Sequence, residues 1–256
     1  MKKVVLMMVV CFTFIFIGLM AQQKTVEMAD LKVEPPKFQE TKLNQVKELN
    51  QKSSINRFIE RELELSEPLA LYRDEGIVAV QFSVAADGSV SDFEIKNHVS
   101  FVTDYAVIDC LRKTNGMWIP GKVAGEYTSM EKLVFVKFDV IGNPSHIEIA
   151  QRYFSKGVRH FNTALMLDES LYLAEKKKNR KANRQLSRAF NSLDLALKYA
   201  PEESSVLFWQ ARIYEQQGNQ EGMNQKLEKY RELVQINEYE KEIFGNYDLA
   251  VIIKER

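Results

Sequence analysis

Gly76-Ile77-Val78-Ala79-Val80-Gln81-Phe82-Ser83-Val84 is followed at once by Ala85-Ala86-Asp87-Gly88-Ser89-Val90. The first run alternates apolar and polar residues, which is the period of a half-buried strand. Asp87-Gly88 falls where the chain must reverse, because glycine tolerates the positive φ of a tight turn. Val90, Phe93 and Ile95 then restart an apolar pattern. A hairpin over residues 77–97 is the expected result.

Working outward, Ser53 or Ser54 can cap a helix carrying Ile55, Phe58, Ile59 and Leu63, which Pro68 ends or kinks. A second helix covers 102–113, with Val102, Ala106, Ile108 and Leu111 near one face, and Asn115-Gly116 stops it. Trp118-Ile119-Pro120-Gly121 follows, with Trp118 read as a buried ring and Pro120 as the entry to a final strand. Leu133 to Val140 alternates again, with Val134, Val136, Phe138 and Val140 on one face. The fold class is therefore α+β. Residues 54–142 form a small two-layer sandwich, in which helices cover one face of a three-stranded antiparallel sheet of order 2-1-3. The last strand, 132–140, would lie at an edge with free backbone donors and acceptors.

These residues resemble the carboxy-terminal domain of TonB-family energy transducers. The shared pattern is Gly-x-Val-x-Val-x-Phe-x-Val-x-x-Asp-Gly-x-Val over residues 76–90, with Trp-x-Pro at 118–120. The resemblance covers roughly residues 54–140. It implies a periplasmic domain that adds an extended peptide of an outer-membrane receptor to its sheet edge and performs no bond chemistry. On that basis Lys132, Leu133, Val134, Phe135, Val136, Lys137 and Phe138 are the partner-binding candidates. The chain departs from the family's pattern in two places. Glu131-Lys132-Leu133-Val134-Phe135 has no proline, and the family's Tyr-Pro is replaced near Leu65-Ser66-Glu67-Pro68.

From Ile147 onward the pattern is helical, giving an all-α domain over 147–256. Ala189 to Pro201 resembles the second helix of a tetratricopeptide repeat. A shift of 34 residues, that family's period, carries Ala189, Leu193 and Ala196 onto Met223, Leu227 and Tyr230. Leu207 to Tyr214 and Gly218 match its first helix and turn. About twenty extra residues separate Tyr153, Gly157 and Phe161 from Ala189, unlike a regular repeat. Residues 237–254 are expected to form a capping helix through Tyr239, Ile243, Phe244 and Tyr247.

Bulk properties exclude several functions. Lys+Arg and Asp+Glu are both 35, so no strong field favours nucleic acid. Met1-Lys2-Lys3, the apolar run Val4–Ala21 and the small residue Ala21 read as a secretory signal peptide cut after residue 21. An uncleaved membrane anchor is the alternative, since 18 apolar residues just span a bilayer. Losing Lys2 and Lys3 leaves 33 basic against 35 acidic side chains. Cys110 is then the single cysteine, in a helical pattern that reads as buried and structural. Residues 22–53, with Pro35-Pro36, read as an extended linker in which 41–50 can form a short helix. Fully extended, they reach about 110 Å.

Chemistry is sparse. His98, His146 and His160 sit in different elements, and neither a nucleophile motif nor a phosphate-cradling loop is present. No catalytic, metal or cofactor residue is assigned, and the chain is expected not to be an enzyme. Lys176, Lys177, Lys178, Arg180, Lys181 and Arg184 form the densest charge cluster, either a dock for acidic groups or a solvated junction.

The expected function is a periplasmic adaptor. It would bind an extended peptide at the sheet edge and a second envelope protein on the helical repeats, with no nucleic-acid partner. Membrane contact follows only if the amino-terminal segment is uncleaved, and a homodimer through sheet edges is compatible with this reading. The alternative is an energy transducer anchored in the inner membrane.

Overall fold

The computed structural model describes residues 33–39, 54–64, 74–169, 174–243 and 249–254. The first elements are β1 (Val33–Glu34), β2 (Lys37–Phe38), α1 (Ser54–Glu64), β3 (Gly76–Val84), β4 (Val90–Asn97) and α2 (Phe101–Arg112). Next come β5 (Trp118–Ile119), β6 (Gly121–Val123), β7 (Glu126–Thr128) and β8 (Met130–Val140). Four helices follow, α3 (His146–Asp168), α4 (Glu175–Tyr199), α5 (Ser204–Gln216) and α6 (Gln220–Ile243), and then β9 (Leu249–Lys254). The architecture is α+β, with sheets and short helices first and four packed helices after them.

The period-two pattern of β3 does what the sequence predicts. Val78, Val80, Phe82 and Val84 are fully buried, against Val134, Val136 and Phe138 of β8. Ile55, Phe58, Ile59 and Leu63 of α1 and Val107, Cys110 and Leu111 of α2 close this core from one side. The hairpin turn is built as expected. Gly88 takes φ +83°, its amide donates to the Ala85 carbonyl at 2.9 Å, and Asp87 Oδ1 accepts from the Ser89 amide at 2.9 Å. A Cβ at Gly88 would meet the Trp118 carbonyl oxygen at 2.5 Å, so the turn and the tryptophan segment are in contact. Trp118 is buried, as its structural reading requires.

The sheet order is β4-β3-β8-β9. Its first three strands are the expected 2-1-3 arrangement. Both pairings within them are antiparallel, so no parallel crossover connects β3 to β8. The fourth strand corrects the sequence reading. Residues 249–254, expected to end a capping helix, form β9 parallel to β8, with Phe135 opposite Leu249 through to Val140 opposite Lys254. The assignment of 147–256 as an all-α domain therefore fails at this strand. Ala250 and Ile252 point into the sheet core.

A smaller correction concerns residues 33–38. They are not plain linker: β1 pairs with β6, and β2 pairs with β5 through Phe38 opposite Trp118. The signal segment 1–21 and the helix expected at 41–50 lie outside the described residues. So do Phe244 and Tyr247 and the side chains of Tyr239 and Ile243. Among the described residues, no helix is long and apolar enough to cross a membrane.

In the helical part, α3 and α4 run antiparallel. His146 meets Tyr199, Gly157 lies against Leu193, and the His160 ring is 2.9 Å from Gln185 Oε1. Much of the extra spacing seen in the sequence is extra length in this pair, whose helices have 23 and 25 residues. Phe161, Ala164, Leu186, Ala189, Leu193, Ala196, Val206 and Ile213 share one core.

At Gly157 the two helices are in tight contact. A Cβ there would stand 2.7 Å from Leu193 Cγ and 3.2 Å from the Ala189 carbonyl oxygen. Alanine gains about 1 kcal/mol of helix propensity, but forcing a methyl into this seam costs about 1–3 kcal/mol. Gly157→Ala is therefore expected to be neutral to destabilising, by up to about 2 kcal/mol in urea unfolding. A clear gain in stability would show that the helices are not in contact here.

Candidate functional site

The predicted docking residues, Lys132 to Phe138, all lie on β8 and pair with Phe82 to Gly76 of β3. Their other side is not the expected open edge. Phe135, Val136, Lys137 and Phe138 pair with Leu249 to Ile252 of β9, while Lys132, Leu133 and Val134 precede that register. Val134, Val136 and Phe138 face the core, and Phe135 on the opposite face is also buried. Along this stretch most side chains are thus turned into packed faces, and the backbone of Phe135–Phe138 lies between β3 and β9.

The position beside β8 is a slot with two walls. β8 forms one, and α1 packs on β9 from the other. The Val251 amide donates to Glu60 Oε1 at 3.0 Å, so a helix side chain caps a strand donor. Ala250 and Ile252 point inward, while Leu249 and Ile253 are exposed. That alternation is the pattern of an extended peptide docked on a sheet.

The opposite edge is β4, and it is blunted. It carries Asp92, Glu94 and Lys96, its pairing with β3 is irregular at two places, and Asp92 takes φ +54°. Charge and irregularity are the usual protections of an edge strand.

A shallow cavity of about 290 Å³ lies between α1 and α2, lined by Leu63, Phe101, Tyr105 and Cys110 among others. Phe101 and Tyr105 are exposed and stack on each other at 6.2 Å. Cys110 behaves as its helical pattern predicts. Burial, reinforced by the nearby Glu62 carboxylate, pushes its thiol up to about 12, so it is no nucleophile at neutral pH.

The basic cluster occupies the first turns of α4. Lys176, Lys177, Arg180, Lys181 and Arg184 are exposed, and Lys178 pairs with Glu175 at 3.1 Å.

The three histidines have different surroundings. His98 is mostly exposed and bonds through Nδ1 to Asp104 Oδ2. His160 faces Gln185. His146 is 4% exposed, and neither ring nitrogen has a hydrogen-bond partner. Burial first, and the Lys137 ammonium second, push its pKa below the ordinary imidazole value. The Phe138 carbonyl weakly favours the protonated ring without reaching hydrogen-bonding geometry. Near the ring stand Asp139 of β8 and Glu75, the residue before β3. One ligand atom from each of the three lies within 4.8 Å of the others. Sequence spacing could not reveal this group, because strand pairing is what brings Glu75 to Asp139.

No family model, no curated protein and no solved structure matches the chain.

Proposed function

We propose that this protein is a strand-docking adaptor of the bacterial envelope, acting in the periplasm without bond chemistry. The observation that carries the reading is β9. A segment remote in sequence already lies beside β8 as an added strand, with alternate residues buried and its backbone in register. A sheet that accepts its own distant segment in this way has the geometry to accept a partner's. The partner is then an envelope protein, such as an outer-membrane receptor, that offers an extended segment with small or branched apolar residues at alternate positions. It competes with β9 for the slot between β8 and α1. Because α6 precedes β9 in the chain, exchange of strands would be felt by the helices, where a second partner can bind. The segment 1–21 supports export, and the sequence resemblance supports the strand-adding role.

The test uses a labelled peptide copying residues 247–256 and the full chain. The peptide is expected to bind slowly, limited by opening of β9, and to protect the amides of Val134–Val140 from deuterium exchange. A peptide with the same composition in scrambled order should do neither. If the two peptides behave alike, the slot is not a docking site and the adaptor reading fails.

A further inference from the structure

We infer that Glu75, Asp139 and His146 form a binding site for a divalent transition-metal ion, with zinc the best fit, at the junction of the sheet and the helices. The geometry comes first. Glu75 leads into β3, Asp139 lies near the end of β8, and His146 is the first residue of α3. One ligand atom from each is within 4.8 Å of the others. In a tetrahedral zinc site, ligand atoms at zinc-bonding distance stand about 3.3 Å apart. The set is wider than that by at most about 1.5 Å, and drawing it around an ion would shift Glu75, whose Oε1 accepts from the Val140 amide at 3.2 Å.

The buried imidazole is the second, independent observation. Both ring nitrogens of His146 are enclosed and unpartnered, and Nε2 stands 3.8 Å from Asp139 Oδ1, beyond hydrogen-bond reach. Buried polar groups are normally satisfied, so an orphaned ring facing two carboxylates is unusual. An ion bound to one nitrogen would leave the other N–H to turn toward the Phe138 carbonyl, the usual second partner of a metal-bound histidine. The aromatic ring of Tyr199 stands edge-on to His146 at 5.3 Å and is itself stacked on Tyr153, which holds the imidazole in place.

Charge points the same way. Glu75 and Asp139 carry two negative charges, and Lys137, 2.6 Å from Asp139, supplies one positive charge. One negative charge is left over among these three. The amino terminus of α3 opposes a bound cation, but only by a partial charge, which the carboxylates outweigh. The nitrogen ligand disfavours magnesium and calcium, which prefer all-oxygen sites. An ion here would tie the start of β3 and the end of β8 to the first turn of α3, fixing the helices on the sheet.

The test titrates zinc chloride into chelator-treated full chain, followed by calorimetry and by the imidazole NMR signals of the three histidines. The expected result is one zinc per chain, with shifts confined to His146 and no competition from excess magnesium. Asp139→Asn and His146→Ala should each weaken binding by about tenfold or more. Lys137→Met, which removes the competing ammonium, should tighten it. Asp139 and Lys137 are part-exposed, so their variants report even if His146→Ala fails to fold. The proposal is overturned by absence of saturable binding, by shifts at His98 or His160 instead, or by unchanged affinity in Asp139→Asn.

Discussion

Trp118→Ala is expected to lower folding stability by about 3–5 kcal/mol, because a large ring leaves a core that cannot collapse around the gap. Trp118 is 5% exposed and meets Phe82 at 5.5 Å and Phe38 at 5.4 Å, edge to face in both cases. Its indole N–H donates to Thr114 Oγ1 at 2.9 Å, and Thr114 is fully buried. The same hydroxyl donates to the Leu111 carbonyl, so the loss strips one donor from it and leaves its own bond intact. The alanine variant thus loosens β3, the end of α2 and the β2–β5 pair together. Trp118→Phe should recover most of the loss, leaving a deficit of about 1 kcal/mol for the missing hydrogen bond. Urea unfolding read by far-ultraviolet circular dichroism measures both. A cost under about 1 kcal/mol for alanine would mean that the ring is not core.

Ile252→Asp should have a comparably large effect of a different kind. Ile252 is 3% exposed, opposite Phe138 in the β8–β9 ladder. An unpaired carboxylate in that position costs several kcal/mol. The molecule has a cheaper response than global unfolding, which is to release β9. The cost of the substitution is therefore capped at the free energy of docking six residues, and the rest of the sheet stays folded. The expected observation is a rise of about a hundredfold or more in deuterium exchange at those amides of Phe135–Asp139 that face β9, with the alternate amides facing β3, and those of α3 and α4, unchanged. The labelled peptide that copies residues 247–256 should then bind this variant faster than the parent. Uniform acceleration of exchange across all elements would show instead that β9 is inseparable from the fold.

The two halves of the structure differed in how openly the sequence displayed them. The hairpin was legible because Val78, Val80, Phe82 and Val84 repeat at the period of a strand with one face buried, and Asp87-Gly88 supplies the reversal. The helix of Ile55, Phe58, Ile59 and Leu63 was legible for the matching reason at the helical period. β9 was not. Leu249-Ala250-Val251-Ile252-Ile253 is a short continuous apolar run, and periodicity alone cannot separate a buried strand from the end of a helix. The signal that was available was β-branching at Val251, Ile252 and Ile253, which favours strand. Val33-Glu34 and Lys37-Phe38 are too short to carry any period and gain their structure from β6 and β5. The Glu75–Asp139–His146 group depends on strand register. No spacing rule joins an acid before one strand to an acid at the end of another.

The position of β9 in the chain sets a timetable. Residues 141–248 are synthesised between β8 and its parallel neighbour, and they include all four long helices. Until that long connection closes, the sheet stands with that side of β8 unpaired. Closing so long a loop slows folding far more than it weakens the finished product. The interval is a window of exposure that recurs with every molecule made, and during it an extended chain nearby can pair with β8 without first displacing β9.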